Sequence, residues 1–423
     1  MLAKARRCRL KRISGETGGV YCWSLQDGKN VTLNSNTQIK LNKEIKKLPA
    51  YPFDRLRSLL ANTNPSSEII DMSIGQPMHK APNFIKDIIY NEKDNWNAYP
   101  PLSGMPGLQA AYLDWLKNRF KVDNFFDERN IIPLSGTREG LFSIAMTLNT
   151  KQICLPNPFY QAYLGPSLLD NMQKSFLVSN EDNNFLFDLK KLKLLLQNNP
   201  SLVYFCSPSN PQGKIASYEY ILELIKIVRF YNSVLIVDEC YIDIFYDKVP
   251  TGALEVCFKR GKNLSNILIF HSLSKRSNAA GLRSGFLIGD ARIINCYRKF
   301  RSYSAPTIPI PIQLASAELW KNKKHVLDNR KLYKKKIKYA DKVFKDYDFY
   351  NSPEAGFFLW LKVKDGENFT KQLYSKYAIK VMPGEYLAYG KNNNPGKEYV
   401  RIALVHKQIK NNKGLNKIAK LLL

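Results

Sequence analysis

The sequence predicts an α/β protein: a mostly parallel central sheet with helices on both faces, joined to a smaller α+β domain. Three observations carry this. Short apolar, β-rich runs at 131–134, 153–155, 202–206, 234–237 and 267–270 alternate with segments of helical period, the pattern of strand–helix–strand units. Each run ends in polar and small residues: Ser135-Gly-Thr-Arg-Glu-Gly, Pro156-Asn-Pro-Phe-Tyr-Gln, Ser207-Pro-Ser-Asn-Pro-Gln-Gly213, Asp238-Glu-Cys-Tyr241 and His271-Ser-Leu-Ser-Lys275. Open parallel sheets bind ligands beyond the carboxyl ends of their strands, so chemistry is expected there. Beyond Pro306 the alternation gives way to a long basic helical region and two isolated strand patterns.

Residues 1–45 show no sustained period and read as a basic, poorly ordered arm. Its first twelve residues carry six Lys or Arg and no acid; this weakly resembles a transit peptide, and an over-extended start explains it equally well. No apolar h-region follows, which argues against a secretory signal. Compact folding is expected from Leu48. A helix over 53–60 shows apolar positions 53, 56, 59 and 60, and a strand over 69–74 runs into Gly75-Gln-Pro. Tyr99-Pro-Pro-Leu-Ser-Gly forms a rigid loop before a helix over 105–120. Pro106 suits that helix's first turn, and Leu108, Ala111, Tyr112, Trp115 and Leu116 its buried face. The strand at 131–134 leads through a small-residue turn into a helix reaching Leu148, an arrangement whose backbone N–H groups favour phosphate. Further on, a helix is expected over 221–230, a basic helical region over 313–349 with Val326, Tyr333, Ile337, Ala340 and Phe344 inward, strands over 356–363 and 399–404, and a closing helix over 415–423. The domain division is therefore 73–308 for the large domain and 46–72 plus 309–423 for the small one.

Composition sets outer limits. The 423 residues, 44% hydrophobic and 24% charged, are ordinary for a soluble globular chain of two or three domains. No apolar run approaches the ~20 residues needed to span a bilayer. The seven Cys form no Cys-x-x-Cys pair and the four His are dispersed, so neither a disulfide framework nor a metal site is indicated, and a reducing, cytoplasmic setting is expected. The net charge of +28 invites a nucleic-acid reading. The lysines, however, are spread along the chain, and no helix-turn-helix pattern occupies the arm. Most of the charge reads as compositional drift, accompanying abundant Asn and Ile, with some benefit for attracting anionic substrates.

Two readings of His271–Gly285 stand side by side. Lys275 could be one of 64 basic residues on a solvated loop. Alternatively it is a reactive amine, which needs a site that lowers its pKa, helped by nearby cations. Ser272, Ser274, Ser277 and Arg283 around it suit a phosphate, since hydroxyls and a bidentate guanidinium both donate to it.

Taken together and in this order, the motifs resemble the class I and II aminotransferases, pyridoxal phosphate enzymes of fold type I, over residues 46–423. The resemblance implies roles. Lys275 corresponds to the lysine that holds the cofactor covalently and later moves the substrate proton. Asp238 corresponds to the acid that keeps the pyridine nitrogen protonated, Asn210 and Tyr241 to the pair on the phenolic oxygen, and Tyr160 to the ring stacked on the pyridine, a place Phe159 or Tyr163 could also take. Ser135, Gly136, Thr137, Ser272, Ser274 and Arg283 would cradle the phosphate. Tyr99 would reach the phosphate of a neighbouring subunit, which implies a homodimer with shared sites. Arg401 would clamp the substrate carboxylate, with the backbone of Gly75 close by, and Pro383-Gly384 matches a turn near the site.

Within the family, Ser272-Leu-Ser-Lys-Arg-Ser-Asn, Gly281-Leu-Arg-Ser-Gly, Pro156-Asn-Pro-Phe-Tyr-Gln and Tyr51-Pro-Phe-Asp-Arg-Leu resemble the succinyldiaminopimelate aminotransferase group. Gly75-Gln-Pro-Met-His79 departs from that group's usual Gly-Glu-Pro-Lys-His. The implied reaction is ping-pong transfer between glutamate/2-oxoglutarate and N-succinyl-2-amino-6-oxopimelate in lysine synthesis, with Arg301 and Tyr303 as candidates for reading the distal group. The alternatives are an aminotransferase for aspartate, methionine or aromatic substrates and, more distantly, a non-catalytic regulator.

Overall fold

A computed structural model describes residues 41–169, 172–304, 306–390 and 392–422, with short stretches at 11–12, 21–24 and 30–31. Residues Met1–Leu48 and Pro49–Leu423 form two compact units. The expected unstructured arm lies mostly outside the described residues; within them, strands Lys11–Arg12, Tyr21–Ser24 and Asn30–Val31 pair antiparallel.

In the larger unit, seven strands make one sheet: β1 (Ile131–Leu134), β2 (Gln152–Asn157), β3 (Gln173–Val178), β4 (Ser201–Cys206), β5 (Val234–Asp238), β6 (Ile267–Ser272) and β7 (Gly285–Gly289). Their order is β1-β7-β6-β5-β4-β2-β3. Only β7 is reversed, pairing antiparallel with β6 and β1. Every residue of β1, β2 and β4–β7 is buried. Helices cover both faces of such a sheet, so its strands read as continuous apolar runs rather than alternating ones. β3 went unseen in the sequence for the same reason. It is the edge strand, Leu177 alone is buried, and Gln-Lys-Ser opens it.

The helix Pro106–Phe120 buries the expected face and stops at Lys121, whose φ of 54° ends the helical path. Tyr112 from it stacks on Phe286 of β7 at 4.2 Å. The helix expected to reach Leu148 is α-helical only over Thr137–Ser143 and tightens to a 3₁₀ turn over Ile144–Thr147. The basic helical region is two helices, Ile310–Lys321 and Lys324–Phe344. Asn322 is extended, and its side chain accepts from the His325 N–H at 3.2 Å. An Asn that caps the next helix in this way competes with continuation of the previous one. Val326, Tyr333, Ile337, Ala340 and Phe344 do form the buried stripe.

A smaller antiparallel sheet contains β8 (Phe358–Lys362), β9 (Met382–Pro383) and β10 (Tyr399–Ala403), with β10 central. The strand expected over 69–74 is reduced to Ile70–Asp71, paired parallel with Ile379–Lys380. The closing helix starts earlier than expected, at Gln408. No helix among the described residues is long and apolar enough to cross a membrane.

The layering makes a direct prediction. Ile269 is fully buried at the middle of β6, so Ile269→Ala should cost about 2–5 kcal/mol of stability. Val178→Ala on the exposed edge should cost less than about 1 kcal/mol. Urea unfolding of both variants measures the contrast.

Candidate active site

The carboxyl ends of β1, β2, β4, β5 and β6 open into a cavity of about 430 Å³. β6 delivers Ser272 and then the short helix Leu273–Arg276. The Ser272 hydroxyl accepts from the Ser274 N–H at 3.1 Å and starts that helix, so Lys275 projects into the cavity. Its Nζ donates to the Gly75 carbonyl at 2.5 Å. Burial lowers its pKa to about 8; Cys240 opposes this, and Arg401, Arg138 and Arg283 act in the same sense as burial.

On the neighbouring strand, Asp238 is buried, and burial raises its carboxyl above the ordinary range. Tyr163 Oη donates to Asp238 Oδ2 at 2.8 Å, and the Cys240 N–H donates to Oδ1 at 3.1 Å. No cation pairs with it among the described residues. A desolvated carboxylate held by neutral donors and open to the cavity has acceptor capacity left for a cationic N–H.

The turn after β1 supplies the N-terminus of the helix Thr137–Ser143. Gly136 there has φ 85°, and a Cβ on it would lie 2.0 Å from Arg283 Nη2. The guanidinium therefore rests against bare backbone. Arg283 donates to the Ala280 carbonyl at 2.9 Å and the Ser135 carbonyl at 3.3 Å. Helix N–H groups, Arg283, Ser272 and Ser274 thus surround one corner of the cavity, an arrangement suited to a phosphate.

The opposite wall comes from the smaller sheet. Arg401 of β10 pairs across to Trp360 and Met382. It donates to Asn210 Oδ1 at 3.2 Å and to the Ser73 carbonyl at 2.9 Å. Its Nε is buried without a partner, and burial lowers its pKa to about 10. The chain reaches Gly75 beneath the Phe358 ring, which a Cβ at that position would meet at 2.5 Å.

A model of the aminotransferase class I and II family matches residues 67–418. The chain belongs to the class I and II aminotransferases. It is similar to an LL-diaminopimelate aminotransferase of Dehalococcoides mccartyi, 28% identical over 90% of this chain and 98% of that protein. It is similar at the same identity to 4-dedimethylamino-4-oxo-anhydrotetracycline transaminase of Streptomyces rimosus, over 85% of this chain and 96% of that protein. Among solved structures, an aminotransferase from Neisseria meningitidis superposes with a TM-score of 0.84 and 35% identity, covering 90% of this chain and all of that one. Aminotransferases of this family use pyridoxal 5′-phosphate.

The structure brings Gly75, Thr137, Tyr160, Asn210, Asp238, Tyr241, Ser272, Ser274, Lys275, Arg283 and Arg401 to one aminotransferase cavity. Ser135 stands behind its rim, with its hydroxyl donating to the Pro306 carbonyl at 2.9 Å. Phe159, Tyr160 and Tyr163 all line the cavity; Tyr163 donates to Asp238 and stacks on Tyr204 at 5.0 Å. Tyr99 is fully exposed and does not line the cavity of its own chain. Arg301 corrects an expectation. It is buried, donates to Glu139 at 2.6 Å and to the carbonyls of Pro133 and Pro306, and so holds the turn after β1 instead of reaching ligand. Tyr303 is exposed and likewise outside the cavity.

Sequence reasoning missed Arg138 at the cavity mouth. Its Nε donates to Tyr160 Oη at 2.6 Å and its Nη2 to Tyr51 Oη at 3.1 Å. It has no carboxylate partner among the described residues. The signal was an Arg beside the phosphate turn in Ser135-Gly-Thr-Arg.

Gly136→Ala should weaken the site and the fold together, because φ 85° strains any Cβ and the Cβ overlaps Arg283. The expected cost is above about 1 kcal/mol. Cofactor titration should show weaker binding than wild type, with urea unfolding reporting the stability loss.

Proposed function

We propose that the enzyme exchanges an amino group between glutamate/2-oxoglutarate and a diaminopimelate-type substrate whose distal amine is acylated, with N-succinyl-2-amino-6-oxopimelate as the acceptor. In this reading Ser135, Gly136, Thr137, Ser272, Ser274 and Arg283 hold the cofactor phosphate. Asp238 accepts from the pyridine N–H and Tyr160 lies against the ring. Asn210 and Tyr241 flank the phenolic oxygen. Bound pyridoxal phosphate supplies a carbonyl that condenses with amines and a ring that withdraws electrons from the amine-bearing carbon. Lys275, buried and depressed toward neutrality, takes and returns the proton at that carbon. Arg401 clamps the α-carboxylate through its unpartnered Nε and fork, and the Gly75 backbone sets the depth. Residues 73–308 act as the cofactor-binding domain, and Arg401 comes from the small domain of 46–72 plus 309–423. Tyr99, exposed on its own chain, completes the site of a partner subunit in a homodimer.

One observation carries the substrate reading. Arg138, Arg283, Arg401 and Lys275 line the cavity, and Asp238 is the only acidic side chain among its lining residues. With Arg283 on the phosphate and Arg401 on the α-carboxylate, Arg138 remains for a distal carboxylate. A free distal ammonium would meet cations without an acid to receive it; an acylated nitrogen is uncharged, and a succinyl group adds a carboxylate. Gln76, where the resembling group carries Glu, also lines the cavity and removes one acid. The names of relatives such as the Dehalococcoides protein favour the unacylated LL-diaminopimelate as the second reading.

A panel of amino donors against 2-oxoglutarate separates the two. N-succinyl-LL-diaminopimelate should exceed LL-diaminopimelate in kcat/KM by about tenfold or more, the scale of one charge-assisted hydrogen bond. Preference for the free diamine, or for aspartate, methionine or an aromatic amino acid, would sink the acylated reading. Arg138→Ala should raise KM for dicarboxylic donors about tenfold while leaving kcat for alanine nearly unchanged.

The Lys275 amine supplies a pH test. Its folded pKa of about 8 lies below the ordinary lysine value, so the ammonium form dominates below pH 8 and the neutral amine above it. In the apoprotein, labelling of Lys275 by an amine-directed reagent, read by peptide mass spectrometry, should rise about tenfold per pH unit up to about pH 8 and then level off. A midpoint near that of the exposed lysines would contradict the desolvated site.

A further inference from the structure

Lys275 and Arg276 are consecutive, yet they line different cavities. The segment after β5 does the same: Asp238, Cys240 and Tyr241 face the active site, whereas Asp243 and Phe245 face the other side. That second cavity has a volume of about 290 Å³, near the lower end of small-molecule pockets. It lies between the helix Pro106–Phe120, the 243–249 segment and the helix Lys324–Phe344. It shares no lining residue with the active site.

Its charges are unbalanced. Arg119, Arg276, Arg330 and Lys323 line it against a single carboxylate, Asp243. Both Asp243 oxygens are taken, one by Arg119 Nε at 2.9 Å and the other by Arg276 Nε at 2.8 Å. Burial pushes that carboxyl up, but Arg276 and Arg119 outweigh it and hold the pKa below the ordinary range. Arg276 spends its terminal nitrogens on the Leu319 and Trp320 carbonyls. Arg330 is different. Its Nε donates to the Asp243 carbonyl at 3.1 Å, and its guanidinium lies 3.7 Å over the Phe245 ring. Both of its terminal nitrogens lack a partner among the described residues, as does Nη1 of Arg119. A guanidinium held over an aromatic ring with both terminal nitrogens unpartnered has donors left for a bidentate acceptor. Beside it the wall is apolar, formed by Trp115, Val326 and Leu327.

We propose that this cavity is a second ligand site, which takes a small carboxylate with an aromatic or branched apolar body. The carboxylate meets the free edges of Arg330 and Arg119, and the body lies on the apolar wall. A free amino acid fits poorly, because its ammonium would face cations and a carboxylate already filled. The site does not depend on which amino donor the enzyme prefers.

The test uses the holoenzyme and 3-phenylpropionate, a carboxylate that cannot be transaminated. Arg401→Ala serves as background to remove the carboxylate anchor of the active site. Calorimetric titration should show saturable binding there, and none for the uncharged isostere 3-phenylpropan-1-ol, which cannot condense with the cofactor. Adding Arg330→Ala should weaken the binding about tenfold or more. Should that variant fail to fold, Leu327→Trp, which fills the cavity from its exposed rim, should weaken it similarly. Absence of saturable binding, undiminished binding in the variant, or equal binding of the alcohol would overturn the proposal.

Discussion

Two opposite charges buried side by side without touching are what the rest of the structure depends on. Asp238 ends β5 and Lys275 follows β6, and these strands pair in parallel register with Phe270 beside Asp238. Taking either group out of water is costly unless something receives it. The fold receives each with neutral groups: Tyr163 and the Cys240 amide for the carboxylate, the Gly75 carbonyl for the amine. A direct ion pair would have been the cheaper solution for stability. It would also have consumed both groups. The sheet order keeps them adjacent, the reversed β7 starts just past Arg283, and the turn after β1 closes the corner between them. Burial is the main cause of the lowered Lys275 pKa, and the arginines that add to it are gathered by the same geometry.

Strand ends were legible in the sequence because burial on both faces forces an unbroken apolar run, and the chemistry begins where that run stops. Lys275, Asp238, Asn210, Tyr241 and Arg401 each stand at or near such a run, and the family resemblance singled them out; all five line one cavity. What failed to show depends on neighbours distant in the chain. β3 needs only one covered face, so Gln173-Lys-Ser reads as loop. The break at Asn322 is a capping choice between two helices that share one period. Ile70–Asp71 is short because the chain must leave the sheet at once to lay Gly75 beneath Phe358.

Arginines show the limit most plainly. Arg301, Arg276 and Arg138 all sit beside motifs of the site, and nothing local tells them apart. The structure gives Arg301 to Glu139, making it the buried brace of the turn after β1. Arg276 goes to Asp243 and to the end of the helix Ile310–Lys321, so the residue after Lys275 ties down the turn that carries it. Arg138 alone is left with only tyrosine hydroxyls. The assignment follows from which carboxylate each guanidinium can reach, a matter of tertiary distance.

The same logic changes what the net charge of +28 means. Most of those lysines are solvent-exposed, where a Debye length of about 8 Å at physiological salt damps their reach. Their number says little about which ligand is bound. The guanidiniums lining the two cavities are few, but they stand partly out of water, where screening is weak and the attraction to an anion is stronger. In each cavity the count that matters is donors against acids: Asp238 alone in one, Asp243 already saturated in the other. The proposed selectivity for anionic ligands would therefore arise from the acids the fold withholds at these two places, and a chain with half the surface charge would keep it.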